Sequence, residues 1–64
     1  VTVSSNIKSA GITITATNEN TRLKVDGKMG LLTVDGNIVM NRQNNTNTSE
    51  VLLVQNNGML DIKN

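Results

Sequence analysis

The chain has no cysteine and no histidine, and it is only 64 residues long. A domain of this size leaves much of its surface exposed and is usually stabilised by disulfides, a structural metal or oligomerisation. The missing cysteines exclude disulfides, and without Cys or His the usual ligands of zinc and other transition metals are absent. We therefore predict no metal, no cofactor, and stabilisation by association with other chains.

Aromatic residues are also absent, and the hydrophobic 36% of the chain consists of Val, Ile, Leu, Met and Ala. Aromatic side chains bury the largest area per residue. A core without them has to be assembled from many small aliphatic side chains, and further copies of the chain can supply the missing partners. The composition thus favours self-association.

Groups suited to acid–base or nucleophilic catalysis near neutral pH are scarce, because His, Cys and Tyr are all missing. Asp26 and Asp35 are the one pair of carboxylates to weigh as a glycosidase-like site. Each directly precedes a glycine, and Asp-Gly is a typical turn dipeptide. Calcium held by three copies of these aspartates around a shared axis is a weaker alternative, since no segment matches an EF-hand loop. We predict that the protein is not an enzyme.

Charge is low and dispersed, with a formal net charge of +1. No basic run is present to neutralise a row of phosphates, and no aromatic ring can stack on a base. The longest unbroken apolar run covers residues 51–54, whereas a membrane-spanning helix needs about 20 residues. We expect neither nucleic-acid binding nor membrane insertion. The initial Val leads us to expect a fragment of a longer chain.

Apolar residues that are present alternate with polar ones, which is the period of β-strands. Residues 11–17 alternate strictly and place Ile12, Ile14 and Ala16 on one face. Shorter segments at 1–3, 23–25, 32–34 and 60–62 follow the same pattern. No segment has the spacing of an amphipathic helix. The sequence predicts an all-β protein.

Turn signals separate these segments. Dipeptides of the Asp-Gly and Asn-Gly type tolerate positive φ and favour type I′ hairpin turns. Residues 41–49 are rich in Asn and Thr and are predicted to form a loop. The three dipeptides, each predicted to close a hairpin, are Asp26-Gly27, Asp35-Gly36 and Asn57-Gly58.

An internal repeat organises the chain. The segments starting at Leu23 and Leu32 both read Leu-x-Val-Asp-Gly-x-apolar, and a looser third copy runs from Leu53 to Leu60. A repeat this short cannot bury its own apolar face, so neighbouring repeats or other chains have to cover it.

The motifs Val25-x-Gly27 and Val34-x-Gly36, set among alternating aliphatic, Thr, Asn and Asp residues, resemble the repeats of phage tail-fibre and tail-spike needles. They are also similar to the shaft repeats of adenovirus-type fibres. The resemblance covers residues 22–40 well and 50–63 loosely. It implies an intertwined trimeric β-fibre, either a β-helix or a triple β-spiral, with a thin aliphatic core along its axis.

A structural role follows from this resemblance. Residues 1–64 would form a single β-repeat shaft segment of a phage or viral tail fibre, an extracellular virion component. The segment would space a host receptor-binding tip and connect it to the particle, as a homotrimer, with other fibre or baseplate proteins as further partners. The residues expected in the trimer core are Ile12, Ile14, Leu23, Val25, Leu32, Val34, Ile38, Met40, Leu53, Met59, Leu60 and Ile62.

Two other functions remain open at the level of sequence. A small β-sheet module could present its Asn-rich loop and threonine faces to a glycan or a partner protein, although carbohydrate sites usually offer an aromatic platform. A self-assembling β-filament subunit is the second, favoured by the asparagine content and the stackable repeats.

Overall fold

The computed structural model describes residues 1–17, 22–42 and 50–63. Within these residues the chain forms β-strands and no helix, which confirms the predicted all-β class. The strands are β1 (Thr2–Val3), β2 (Asn6–Ser9), β3 (Ile12–Ala16), β4 (Leu23–Asp26), β5 (Leu31–Val34), β6 (Ile38–Arg42), β7 (Leu52–Gln55) and β8 (Met59–Ile62).

All strand pairs are parallel and form three small sheets. Their orders are β1-β4-β7, β2-β5-β8 and β3-β6. Successive strands therefore lie in different sheets. Each of the strands β1 to β5 pairs with the strand three places later in the chain. The chain winds as a parallel β-solenoid of three sides. Strands β1 to β3 form its first coil, β4 to β6 its second, and β7 and β8 belong to its third.

The predicted hairpins are wrong, because neighbouring strands along the chain do not pair with each other. Asp26-Gly27 lies at the end of β4 and the other two dipeptides lie between strands, and all three belong to corners that redirect the chain from one sheet to the next. Positive φ occurs at Gly27 (90°), Asn56 (55°) and Asn57 (68°), whereas it is found at neither Asp35 nor Gly36. Asn56 and Asn57 thus have the paired positive φ values of a type I′ turn, one residue before the predicted dipeptide, whereas the corners at Asp26-Gly27 and Asp35-Gly36 have no such pair.

The short sequence repeat is not the structural repeat. Its two clear copies lie on adjacent sides of the same coil, in β4 and β5. Residues that stack on each other come from successive coils, as with Leu23 on Leu52 and Leu32 on Leu60. The alternation of aliphatic residues is thus the same on two sides, which makes one coil resemble a tandem repeat.

Aliphatic side chains fill the interior in ladders that run from coil to coil. Val3, Val25 and Val54 occupy one register position of the first sheet, and Val25 is fully buried. Strand pleating directs alternate residues inward, so stacked positions share the same environment. The buried core consists of Val3, Ile14, Ala16, Leu23, Val25, Leu32, Val34 and Val51.

One corner depends on a close approach between coils. A Cβ placed on Gly36 would overlap the backbone carbonyl oxygen of Ala10, which belongs to the coil below. Gly30 and Gly58 lie at the corner between the first and second sheets, where an added Cβ would meet a carbonyl oxygen of the preceding coil, that of Val3 at 3.0 Å for Gly30 and that of Val25 at 2.7 Å for Gly58. Absence of a side chain at these corners lets the coils stack at strand spacing.

The predicted loop at 41–49 begins too early. Asn41 and Arg42 belong to β6, where they pair with Thr15 and Ala16 of β3. These two residues were assigned to the loop because they are polar. A strand that pairs on one edge can, however, also carry polar side chains. The remainder, residues 43–49, lies outside the residues that the structure describes.

Candidate interaction surfaces

The aspartates weighed as a catalytic pair occupy different corners. Asp26 ends β4 and accepts hydrogen bonds from the next coil: Gln55 Nε2 donates to Oδ2 at 3.3 Å and Asn56 Nδ2 donates to Oδ1 at 2.8 Å. Asp35 is exposed at the corner between β5 and β6. The carboxylate of Asp26 therefore serves to fasten the third coil to the second.

No group of three or more His, Cys, Asp and Glu side chains gathers at a potential metal position within residues 1–17, 22–42 and 50–63. The same residues include no helix of the length and apolarity needed to cross a membrane.

Residues expected in the trimer core divide into three groups. The fully interior group is enclosed by the single chain itself and comprises Ile14, Leu23, Val25, Leu32 and Val34. The half-buried group comprises Ile12, Ile38, Leu53 and Leu60, and the exposed group comprises Met40, Met59 and Ile62.

Two of these residues lie on the outside of the solenoid. Leu53 alternates with the inward Leu52 and Val54, and Met59 precedes the inward Leu60. Met59 is 61% exposed and stacks on Leu31, its outward neighbour in β5. These side chains therefore form part of the lateral surface.

The first coil leaves the interior open at one end, which we call the N-terminal face: strands β1, β2 and β3 with their inward side chains. Each of these strands pairs on one edge only within the described residues. An apolar cleft of about 370 Å³ opens here, with Leu23 and Leu32 of the second coil at its base. First-coil side chains that line it include Val3, Ile7 and Ile12.

The other end, the C-terminal face, consists of β7 and β8 with their inward side chains. Val54 and Ile62 point inward by register, yet they are 41% and 50% exposed. Both strands again pair on a single edge within the described part of the chain. The described residues therefore cover these two inward side chains only in part.

On the third side, β6 carries a separate cleft of about 590 Å³. Its lining combines apolar Met40 and Leu52 with the opposite charges of Arg42 and Glu50. Met40 is 52% exposed although it stacks on the buried Ile14. The cleft therefore lies beside the end of β6 and the start of β7.

The second sheet carries charged side chains in its outer ladder, by which we mean the residues stacked at one outward register position. Lys8, Thr33 and Asp61 occupy one outward register position in β2, β5 and β8. The lysine therefore lies on β2, at the N-terminal end of this ladder, and the carboxylate lies on β8, at its C-terminal end. Asp61 also forms an ion pair with Lys63, at 3.1 Å between Oδ2 and Nζ.

Sequence reasoning missed several residues of these surfaces. Ile7 stands alone among polar neighbours in β2, so alternation gave no strand there. Val3, Val51 and Val54 were not included in the expected core, although the first two are buried. For Val3, Ile7 and Val54 the identifying signal is the coil-to-coil register, which appears only when sequence segments from successive coils are aligned, whereas Val51 precedes β7 and has no register partner.

Within residues 1–17, 22–42 and 50–63, the geometry defines a short parallel β-solenoid whose end strands pair on one edge only and whose two end faces carry different side chains. Comparison with known proteins adds no relative, since no family model, no curated protein and no solved structure matches the chain.

Proposed function

We propose that the chain is a shaft segment of a phage or viral tail fibre, an extracellular virion component that spaces a receptor-binding tip and connects it to the particle. The observation that supports this role is the continuous stacking of aliphatic side chains between coils, as in the ladder Val3–Val25–Val54. Each coil repeats the preceding one in register. Such an architecture extends in one direction without changing its cross-section.

Stiffness follows from the direction of the hydrogen bonds. In a parallel solenoid the inter-strand hydrogen bonds run along the axis, with adjacent strands about 4.8 Å apart. Bending the rod would stretch several of these bonds on one side at once. Packed Val25 and Val34 ladders inside resist compression on the other side, because protein interiors have low compressibility. The segment works through geometry and not through a reaction.

The predicted homotrimer remains part of the proposal, with three copies arranged around a common fibre axis. The outward pair Leu31 and Met59 supports a lateral contact, because both side chains lie on one sheet face and Met59 is 61% exposed. Burying apolar surface of this kind between copies contributes about 25 cal/mol per Å².

Light scattering combined with far-UV circular dichroism tests the proposal. We expect a β-sheet spectrum and a mass of three chains or a multiple of three. Met59→Lys should reduce the mass to that of lower oligomers, whereas the control Val39→Lys, on the outward face of a different sheet, should leave it unchanged. A β-rich monomer would contradict the trimer, and a disordered spectrum would contradict the shaft.

A further inference from the structure

The two end faces match each other in strand direction. Strands β7 and β8 each have one unpaired edge within the described residues, and so do β1 and β2. β1 already pairs in parallel with β4, which pairs in parallel with β7. A second copy shifted along the axis therefore presents β1 and β2 to β7 and β8 in the same parallel sense.

The inward ladders also continue across such a contact. Val54 would stack on Val3 of the next copy, because both share a register position with Val25. Leu60 would stack on Ile7 of the next copy through their shared partner Leu32. Val54 and Ile62, which are 41% and 50% exposed at the C-terminal face, would then lie over the cleft of the N-terminal face, where Ile62 meets Ser9 through their shared partner Val34.

The outer ladder supplies charge complementarity. Lys8 and Asp61 share a register position with Thr33, so an in-register contact puts the Asp61 carboxylate beside the Lys8 ammonium of the next copy. Contact between two identical faces cannot form this pair, because Lys8 and Asp61 lie at opposite ends of the ladder. Opposite charges on adjacent strands stabilise the pairing and like charges destabilise it.

We infer that the C-terminal face binds the N-terminal face of a second copy, with β7 pairing to β1 and β8 to β2 of that copy. This contact would lengthen the proposed shaft and rests on that proposed function. It involves two of the three sides. On the third, β6 lies in the second coil, and within the described residues no further strand pairs with it beyond β3.

Single-face variants of the 64-residue chain test this contact. Ile7→Lys disables the N-terminal face and Ile62→Lys the C-terminal face, and both positions are 44–50% exposed, so the fold should tolerate them. Alone, each variant should show the mass of the smallest wild-type species, with axial association at least about tenfold weaker, since burying an unpaired charge is strongly unfavourable. Mixed together, they should form a species of twice that mass through their two intact faces.

Several outcomes would overturn the inference. Association of either variant alone at wild-type strength would mean that like faces bind each other. A mixture with no heavier species, or a wild-type chain without axial growth at any concentration, would mean that something other than a second copy covers these faces. A β-rich spectrum in the same samples separates this failure from failure of the shaft itself.

Charge variants provide a test that does not touch the core. Lys8→Glu should weaken axial association about threefold at low salt, within the range of exposed ion pairs, and the paired exchange Lys8→Glu with Asp61→Lys should restore it. The matched controls Lys28→Glu and Asp35→Lys alter the same charges at exposed corners of the middle coil and should have no effect. Equal weakening by the controls, or no restoration by the exchange, would contradict the proposed register.

Discussion

Val34 illustrates how much a single residue depends on the coils around it. Its side chain has no exposed surface, although the chain has only 64 residues and no aromatic side chain. The neighbours are Ser9 in the coil before and Ile62 in the coil after. Burial is thus complete within one chain, so Val34 does not require a trimer to be covered.

Replacement of Val34 by Asp should unfold the chain itself. An unpaired carboxylate at a fully buried position removes more than about 4 kcal/mol, which approaches the whole stability of a small domain. Val39→Asp is the control, because Val39 points outward and is 45% exposed, and it should change stability by less than about 1 kcal/mol. Far-UV circular dichroism of both variants decides the matter, and a folded Val34→Asp chain would disprove this core.

Gly36 permits a second test at the scale of one residue. Gly36→Ala should destabilise the fold by about 1 to 3 kcal/mol, because the added Cβ would overlap the Ala10 carbonyl oxygen. Gly11→Ala is matched to it, since its Cβ would meet the Asn37 carbonyl oxygen at an ordinary 3.6 Å. Denaturant titration compares the two variants. Equal stability would show that the coils do not stack closely at this corner.

At the scale of elements, the sequence predicted strands better than it predicted their partners. Alternation at residues 12–16, 23–25 and 32–34 identified β3, β4 and β5, because alternation is a local consequence of pleating. The short β2 was missed since Ile7 is its one apolar residue. Asp-Gly signals fit a hairpin and a corner equally well, so the parallel pairing had no local signature. Neither the end faces nor the Lys8–Asp61 ladder could be recognised before the register was known.

The corner after β4 is fastened to the next coil by a carboxylate. Asp26→Ala removes two acceptor oxygens used by Gln55 and Asn56, and should lower stability by about 1 kcal/mol because the cluster is partly exposed. For a domain of this size that corresponds to a melting temperature about 4 to 8 °C lower. Asp35→Ala, at an exposed corner, should shift it far less. Similar shifts in a thermal melt would argue against the Asp26 contacts.

For the whole molecule, protection is expected to be graded along the axis. Strands β4 and β5 pair on both edges, whereas β1, β2, β7 and β8 pair on one edge within the described residues. Local opening of an end strand exposes fewer buried groups than opening of a central one. The fold is therefore expected to be most stable in its middle coil.

Amide hydrogen exchange measures this gradient. The amides of Lys24, Val25 and Leu32 should exchange most slowly, and those of β1 and β8 most rapidly, in the species that lacks axial contacts. Raising the concentration should then slow exchange in the end strands selectively if copies bind end to end. Uniform protection at low concentration would contradict the graded solenoid.

Parallel winding also gives the molecule polarity, because its two ends are different. No two-fold axis can exchange its ends, because every described strand pair runs in the same sense and the lysine and the aspartate of the outer ladder stand at opposite extremities. A rod assembled end to end from such units has two chemically different tips, and all of its units point in the same direction. A partner that recognises the surface of one tip would therefore not recognise the surface of the other.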